Sequence, residues 1–312
     1  MIELIKRLKL SYQVYNFFKK KDLQHNEKLY KKYGLNKKYY SSISSKDFEN
    51  LDNKNIEPNI KQLIADPVFH TFSKDSQESL RDFNKVGYAV IKDHFKEAQV
   101  DAVNKAIDEL IETQQVKFRY GNKKIMFAIH KSEVVRRMSY DAPLKKVLNY
   151  LVDGEAVLFQ SINFVHEGSE QKTHSDTLHM TTYPLGGLLG VWIALEDIAE
   201  DNGPVHYYPG SHQLPYFLNS AFDNEGTSFM LGQKKYKDYE AMIEDKLKDY
   251  SLEKKLFTAK KGDILIWHAN LLHGGEAHLN KSKTRKSMVL HFFERDSICY
   301  HEVTQRPAIM KY

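Results

Sequence analysis

The sequence contains a single cysteine, Cys299, so no disulfide can form within the chain, and this fits a reducing compartment. No apolar run approaches the roughly 18 residues that a membrane-spanning helix needs. The basic start MIELIKRLKL lacks both the uninterrupted apolar stretch and the cleavage site of a secretory signal. We therefore expect a cytoplasmic protein, whose 312 residues, 41% of them hydrophobic, suffice for one large domain or two small ones.

Acidic residues are scarce at the start of the chain. Residues 1–40 contain eleven Lys or Arg but only three Asp or Glu, although the whole chain has a net charge of only +5. Such an asymmetry indicates contact with something anionic. Nucleic acid is disfavoured because no recognition motif accompanies the charge. A phosphorylated substrate or an anionic membrane surface fits better, and a merely solvated lysine-rich face stays open as the alternative.

The basic segment has helical periodicity. The apolar residues that recur at helical spacing within residues 1–20 are Leu4, Ile5, Leu8, Tyr12, Tyr15 and Phe18. They predict an amphipathic helix, which could pack on its own domain or make peripheral contact with the inner face of a membrane. Residues 41–62 are polar and turn-rich and predict a linker. We accordingly predict a helical extension with its linker over residues 1–62 and one further domain over residues 63–312.

The remainder of the chain changes from helical to β patterns. Helices are predicted near residues 76–86, 96–115 and 142–153, with a short strand YAVI after Gly87. After residue 154 the apolar, β-branched and aromatic runs predict strands, namely AVLFQSINFVH, LLGVWIAL, PVHYYPG, DILIWH and KSMVLHFFERD. A charged helix is predicted over residues 236–255, inside an inserted segment at about 216–258. The order predicts an α+β protein, with helices buttressing a β-sandwich or barrel.

The stretch QKTHSDTLHM places His174 and Asp176 two residues apart. They could belong to a turn with a surface hydrogen bond, or they could be two ligands of one metal ion. A third ligand is offered by His273 in KKGDILIWHANLLHGG, where two glycines permit a close backbone approach beside the imidazole. His268, which directly follows the strand, lacks that glycine pair. Two histidines and one carboxylate leave positions open for a co-substrate and dioxygen on Fe(II), although zinc remains an alternative.

A cationic residue follows the third candidate ligand. In a strand, Arg285 and Ser287 point to the same face. An arginine that faces into a barrel needs an anion, and its planar guanidinium is suited to a carboxylate held by two hydrogen bonds. The anion could be an internal Asp or Glu, or the far carboxylate of a 2-oxo acid that chelates the metal.

Over roughly residues 76–295 the chain resembles the phytanoyl-CoA dioxygenase family of Fe(II)/2-oxoglutarate-dependent oxygenases. The resemblance is carried by FNKVGYAVIKDHF, by HSD with the later LLHGG, by NGPVHYYPGSH and by GDILIWH. It implies a double-stranded β-helix, a jelly-roll or cupin-like barrel, buttressed by N-terminal helices. It also implies Fe(II), 2-oxoglutarate and dioxygen as the reactants at the site, with His174, Asp176 and His273 as catalytic metal ligands.

The resemblance implies further roles at the co-substrate pocket. Arg285, with Ser287 beside it, would anchor the C5 carboxylate of 2-oxoglutarate. Trp192 would line the pocket, which is compatible with its being a core aromatic, and Gln160 would face the co-substrate or substrate. For Asn163 the alignment is uncertain by one residue, which would reverse its face. His206 and His212 are not expected to be ligands, and His179 could face the substrate or be structural.

The substrate is left open by the sequence. Asp176 is intact, whereas related halogenases carry a small residue there, so hydroxylation or a related oxidation is favoured over halogenation. We expect a small or conjugated metabolite, and the basic N-terminal segment favours an anionic compound that is related to a glycan or a lipid. Two alternatives remain: a catalytically silent barrel that serves as a binding or assembly partner, and a cupin-type metal enzyme without a 2-oxo acid. The oligomeric state is not predicted.

Overall fold

The computed structural model describes residues 7–51 and 55–310. The α-helices are α1 (Lys9–Phe18), α2 (His25–Lys32), α3 (Ile60–Ala65), α4 (Lys74–Arg81), α5 (Phe83–Val86), α6 (Glu97–Glu112), α7 (Glu133–Ser139), α8 (Ala142–Leu151) and α9 (Tyr236–Asp249). The β-strands are β1 (Tyr88–Ile91), β2 (Phe118–Arg119), β3 (Lys124–Met126), β4 (Ala156–Phe164), β5 (Thr181–Tyr183), β6 (Leu188–Ala194), β7 (Val205–Tyr207), β8 (Lys255–Phe257), β9 (Ile264–His268), β10 (His273–Gly275), β11 (Ser287–Glu294), β12 (Ile298–His301) and β13 (Arg306–Pro307). Short 3₁₀ helices cover Ser45–Phe48, Pro67–Thr71, Ala128–His130, Asp176–Leu178, Ser211–Gln213 and Asn219–Phe222.

The strands form two facing layers. In the described part of the chain, the larger sheet has seven strands in the order β1-β9-β6-β11-β4-β3-β2. The opposite layer consists of two three-stranded sheets, β10-β7-β8 and β13-β12-β5. Apolar side chains from the larger sheet and from β10-β7-β8 meet in one buried cluster between the layers. This is the predicted α+β architecture, a double-stranded β-helix with helices packed outside it.

Alternation along the central strands separates an outer core from an inner one. On β6, Leu189, Val191 and Ile193 pack with the helices, whereas Trp192 and Ala194 pack between the layers. Successive side chains of a strand point to opposite faces, so a strand covered on both sides reads as a continuous apolar run. This is why LLGVWIAL shows no polar alternation although it is a central strand.

The outer face of the larger sheet is covered by helices. In α6, Val100, Val103, Ile107 and Leu110 recur at helical spacing and are all buried. They join a cluster that also contains residues of α4, α7 and α8. Burial of each such side chain contributes roughly 1.5–3 kcal/mol. The helices therefore stabilise the sheet from outside, as the sequence predicts.

The segment that precedes these helices packs on the barrel. Residues 41–51 of the predicted linker are packed rather than free, because Phe48 is buried and stacks on Tyr183 of β5 with ring centroids 4.1 Å apart. The backbone N–H and the hydroxyl of Ser45 donate hydrogen bonds of 2.9 and 2.7 Å to the buried carboxylate of Glu302. The segment is thus anchored by apolar and polar contacts. A domain boundary near residue 62 stays a prediction.

Helix α1 is the described part of the predicted N-terminal amphipathic helix. Leu4 and Ile5 of the predicted stripe lie outside the described residues. The N–H of Lys9 donates a hydrogen bond of 3.0 Å to the carbonyl of Phe229 in the inserted segment, so the helix docks on the rest of the protein. Asn16 is buried, and its side chain donates a hydrogen bond of 3.1 Å to the carbonyl of Tyr40. Within residues 7–51 and 55–310, no helix combines the length and the apolar character needed to cross a bilayer.

The inserted segment contains the predicted charged helix as α9. Its residues Tyr239 and Ile243 are buried in a cluster with Leu178 and Leu272. Leu178 lies two positions beyond Asp176, and Leu272 directly precedes His273. The insert therefore packs behind the two chain segments that carry the candidate ligands.

Candidate metal and co-substrate site

Three of the predicted site residues converge in the barrel. The ligand atoms of His174, Asp176 and His273 all lie within 4.8 Å of one another, and all three residues are buried. One carboxylate oxygen of Asp176 lies 3.6 Å from Nε2 of His174, and the other lies 3.7 Å from Nε2 of His273. A surface turn is excluded as an explanation of the His174–Asp176 pair, because neither side chain is at the surface.

Backbone hydrogen bonds fix the positions of these ligands. His174 and His273 form an antiparallel bridge in which each N–H donates to the other's carbonyl at 2.9 Å. Asp176 begins a 3₁₀ turn that is capped by Ser175, whose hydroxyl accepts a bond of 3.2 Å from Thr177. The N–H of Ser175 in turn donates to the hydroxyl of Tyr239 in α9 at 3.0 Å. The inserted helix therefore supports the ligand loop directly.

The two imidazoles are held in the tautomer that a metal requires. Nδ1 of His174 lies 2.8 Å from the carbonyl of Lys172, and Nδ1 of His273 lies 2.9 Å from the carbonyl of Leu271. A carbonyl only accepts, so each Nδ1 carries the proton and each Nε2 keeps a free lone pair. Burial lowers the pKa of His273 to about 4 despite the opposing effect of Asp176. The ring is consequently neutral at neutral pH.

Asp176 is ionised and oriented by its neighbours. Burial opposes its ionisation, but the neighbouring imidazoles of His273, His174 and His291 outweigh that effect and hold the pKa of Asp176 well below its usual value. The indole N–H of Trp267 donates a hydrogen bond of 2.8 Å to Oδ2 of Asp176. Partners of this kind fix the direction of a metal-binding carboxylate.

A fourth histidine lies beside the carboxylate. Nε2 of His291 is 3.5 Å from Oδ2 of Asp176, and the side-chain amide nitrogen of Gln160 is 3.2 Å from Nδ1 of His291. The amide nitrogen donates, so the proton of His291 resides on Nε2 and points toward Asp176. Gln160 lines the cavity and is linked to the ligand set through His291.

Arg285 lies two residues before β11, and its side chain contacts Ser287, the first residue of that strand. Arg285 is 3% exposed, its Nε donates to the carbonyl of Gly203 at 3.0 Å, and its Nη1 donates to the hydroxyl of Ser287. Its guanidinium carbon lies 4.9 Å from the ring centroid of Trp192. Among the described residues no carboxylate lies within 4.0 Å of this guanidinium. Burial lowers its pKa to about 10, with a partial offset from Glu196, so the group remains charged at neutral pH.

The ligands and Arg285 open into one cavity of about 780 Å³. Two cations that the sequence analysis does not identify, Lys124 and Arg306, also line it. Burial lowers the pKa of Lys124, partly offset by Asp176, and neither cation has a carboxylate partner within residues 7–51 and 55–310. His179 lines the cavity as well, and burial with the charge of His301 lowers its pKa to about 3. His179 thus faces the space in which a substrate would lie.

Several residues that are not expected to be ligands lie elsewhere. His268 packs beside His212, with ring centroids 5.6 Å apart, and neither belongs to the group of converging ligand atoms. Asn163 is buried but does not line the cavity, whereas Gln160 and Ile162 do, so the uncertainty about its face is resolved. At Gly274 a Cβ would lie 2.6 Å from the carbonyl of Gln171, which confirms the predicted close approach.

Some cavity residues that were not predicted from the sequence do have a recognisable signal in it. The alternation that aligns Arg285 with Ser287 continues to Val289 and His291, and Val289 and His291 line the cavity. Trp267 lies within GDILIWH, but nothing in that motif indicates that its indole reaches Asp176. Lys124 lies on the short strand β3, which has no clear pattern in the sequence.

A double-stranded β-helix whose interior holds two histidines and one carboxylate defines the class of mononuclear non-haem iron oxygenases. A family model for phytanoyl-CoA dioxygenase matches residues 83–287. The chain belongs to this family.

Curated relatives agree with the family assignment. The chain is 27% identical to phytanoyl-CoA dioxygenase domain-containing protein 1 of Danio rerio over 185 residues, 56% of this chain and 58% of that protein. It is 29% identical to the homologue from Dictyostelium discoideum over 141 residues, 43% of this chain and 44% of that protein. The chain spans about half the length of the curated relatives it matches.

Solved structures agree with the fold. The α-ketoglutarate-dependent carbocyclase SnoK from nogalamycin biosynthesis matches with a TM-score of 0.61 at 19% identity, covering 78% of this chain and 95% of that one. EctD from S. alaskensis, crystallised with 2-oxoglutarate and 5-hydroxyectoine, matches with a TM-score of 0.54 at 20% identity, covering 82% and 87%. At these identities the likeness concerns the fold alone.

Proposed function

We propose that this protein is an Fe(II)- and 2-oxoglutarate-dependent dioxygenase that hydroxylates a small or conjugated anionic metabolite, with release of succinate and CO2. The observation that carries the proposal is the buried guanidinium of Arg285, which shares a cavity with His174, Asp176 and His273. A buried charge is costly unless it is paired. Within the described chain it has no carboxylate partner, so a bound carboxylate is the partner that would complete it.

The donor set fits iron. Nε2 of His174, Nε2 of His273 and the carboxylate of Asp176 supply two nitrogens and one oxygen at short mutual distances. Such a set suits Fe(II), which keeps further positions open, whereas catalytic zinc sites keep one. When bound, the metal would supply the activation of dioxygen and the one-electron chemistry that no side chain provides.

The pocket behind the ligands fits 2-oxoglutarate. The Arg285 guanidinium can hold the C5 carboxylate through two parallel hydrogen bonds, while Ser287 fixes the guanidinium from the side. The indole N–H of Trp192 is buried, Trp192 lines the same cavity, and this N–H has no hydrogen-bond partner among the described residues. Lys124 adds a second cation. These hydrogen-bond donors and positive charges match a dianion with several acceptor oxygens better than a neutral ligand.

The charges that line the cavity indicate the charge of the substrate. Asp176 is the sole carboxylate among the described residues that line it, whereas Lys124, Arg285 and Arg306 are cations. The cavity therefore favours a substrate with negative charge, such as a glycan- or lipid-related conjugate. His179, Tyr236 and His301 lie on the substrate side and can orient its polar groups by hydrogen bonds.

Hydroxylation is the reaction outcome that we propose. Structural neighbours include a carbocyclase, an epimerase and EctD, whose complex contains 5-hydroxyectoine, so one fold supports several oxidations of small molecules. Halogenation is disfavoured because Asp176 retains its carboxylate, which leaves no ligand position free for a halide, and hydroxylation is the oxidation that we propose.

Anaerobic titration of 2-oxoglutarate into Fe(II)-loaded protein tests the proposal, followed by measurement of succinate after oxygen is admitted. We expect saturable 2-oxoglutarate binding and succinate formation that rises with the correct anionic substrate. Absence of both metal and 2-oxoglutarate binding would favour a catalytically silent barrel. Iron binding without 2-oxoglutarate binding would favour a cupin-type metal enzyme.

A further inference from the structure

Helix α1 has a second apolar face that points to solvent. Leu10, Val14, Phe17 and Phe18 are spaced at i, i+4, i+7 and i+8 and share one side of the helix. They are 66%, 51%, 47% and 79% exposed. The opposite side is the docked one, where Asn16 is buried. The exposed apolar face is thus additional to the side on which the helix packs against its own domain.

Two features extend this surface. Phe229, which is 79% exposed, lies beside the start of α1, because its carbonyl accepts a hydrogen bond of 3.0 Å from the N–H of Lys9. At the other end of the helix, Lys19, Lys20 and Lys21 are exposed and follow Phe18 directly. We name the group Leu10, Val14, Phe17, Phe18 and Phe229, together with Lys19–Lys21, the α1 surface. It combines large apolar side chains with adjacent positive charge.

The mouth of the active-site cavity opens next to the α1 surface. Tyr15 and Asn16 of α1 line the cavity, and so does Tyr120, which is 70% exposed. Tyr15 itself is 48% exposed, so the helix forms part of the rim. Whatever binds the outward face of α1 would therefore lie beside the entrance.

We propose that the α1 surface docks on an anionic phospholipid membrane. Phenylalanine and leucine side chains insert into the boundary between headgroups and acyl chains, and lysines contact anionic headgroups. The apolar side chains alone would also suit a second copy of this chain, and it is the adjacent lysines that favour an anionic surface as the occupant. Docking places the cavity entrance at the bilayer, so the substrate would be an amphiphile held in the membrane; this last step rests on the proposed function.

Sedimentation of the full chain with vesicles tests the docking. We expect binding to vesicles that contain phosphatidylglycerol, weaker binding to phosphatidylcholine alone, and loss of binding at high salt. Leu10→Ser and Phe18→Ser should each weaken partitioning roughly tenfold. Lys20→Gln and Lys21→Gln should each weaken it roughly fivefold on anionic vesicles. Leu279→Ser, which alters a leucine that is 72% exposed elsewhere, should leave partitioning unchanged.

Two results would overturn the proposal. The first is no vesicle binding, or binding that Leu10→Ser and Phe18→Ser leave unchanged. The second is a concentration-dependent dimer that the same two substitutions dissociate, since the face would then belong to a second copy. Fe(II) and 2-oxoglutarate affinities measured on the same variants keep the tests separate. Vesicle binding without co-substrate binding would support the docking and contradict the proposed function.

Discussion

Gly190 lies directly opposite Trp267 across strands β6 and β9, and a Cβ at position 190 would fall 2.1 Å from the indole ring. The absence of a side chain at this position lets the indole lie across the sheet and reach Asp176. A residue that contacts neither metal nor co-substrate thus controls the direction of a candidate metal ligand.

Gly190→Ala should displace the Trp267 indole, and Trp267→Phe should remove its hydrogen bond to Asp176. Loss of a partner that orients a ligand weakens metal affinity by roughly 10- to 100-fold. We expect that range for Trp267→Phe, measured by anaerobic Fe(II) titration. Trp192→Phe is the matched control, since Trp192 is also buried but lies against Arg285. Equal losses of iron affinity in the two Trp variants would contradict this role.

His174→Ala, Asp176→Ala and His273→Ala should each abolish succinate formation and weaken iron binding, because each removes one of three converging ligand atoms. The barrel should remain folded, as judged by circular dichroism. His268→Ala provides a comparison in which a buried histidine outside the group is removed. The ligand assignment would be wrong if the Asp176→Ala protein bound iron and turned over as well as the parent.

Arg285→Lys keeps the positive charge but removes the two-pronged geometry. The loss of a charge-assisted pair of hydrogen bonds should weaken 2-oxoglutarate affinity by roughly 30- to 150-fold, with iron affinity nearly unchanged. Anaerobic 2-oxoglutarate titration measures the effect. Arg306→Lys, at another cation of the same cavity, should leave that affinity close to the parent value. If Arg285→Lys bound 2-oxoglutarate as tightly as the parent, another residue would have to anchor it.

The free energy of unfolding should fall as the pH is lowered from about 6.5 to about 3. Burial, with a contribution from His212, lowers the pKa of His268 to about 3, whereas an unfolded histidine titrates near 6.5. The unfolded chain therefore takes up a proton that the fold excludes, so this stabilisation is complete above about pH 6.5 and is lost progressively toward pH 3. His268→Asn should flatten the pH dependence of the free energy of unfolding, measured by urea denaturation. Parallel pH profiles for variant and parent would refute this.

Phe48→Ala should destabilise the protein by about 3 kcal/mol, because the side chain is buried and stacked on Tyr183. Thermal or urea unfolding measures the loss. Phe229→Ala, at a ring that is 79% exposed, should change stability by less than about 0.5 kcal/mol. A negligible effect of Phe48→Ala would restore the interpretation of this segment as a loosely attached linker.

The sequence predicts the barrel better than the segment in front of it. The strands of the larger sheet are long apolar runs, and YAVI, LLGVWIAL and DILIWH each predict an observed strand. Residues 41–62 contain few apolar side chains, and their packing depends on Tyr183 and Glu302, which are distant in sequence. Local composition therefore suggests a linker where long-range contacts produce a packed layer.

The residues of the candidate site also differ in how far the sequence predicts their roles. His174, Asp176, His273 and Arg285 are predicted because motif and strand alternation single out their residue types. The contact of Trp267 with Asp176 depends on the register of β6 and β9 and on the missing side chain of Gly190. Register between strands is a property of the assembled sheet, and a single sequence contains no direct signal for it.

The antiparallel bridge between His174 and His273 has a consequence for biosynthesis. A nascent chain that has not yet reached strand β10 carries two of the three candidate ligands and lacks the backbone partner that holds His174 in position. A contact between such distant residues forms slowly, because the chain must first bear the entropic cost of closing the loop between them. The complete set of candidate ligands therefore exists only once this bridge has formed, so we expect a chain truncated before β10 to bind iron more weakly than the full chain.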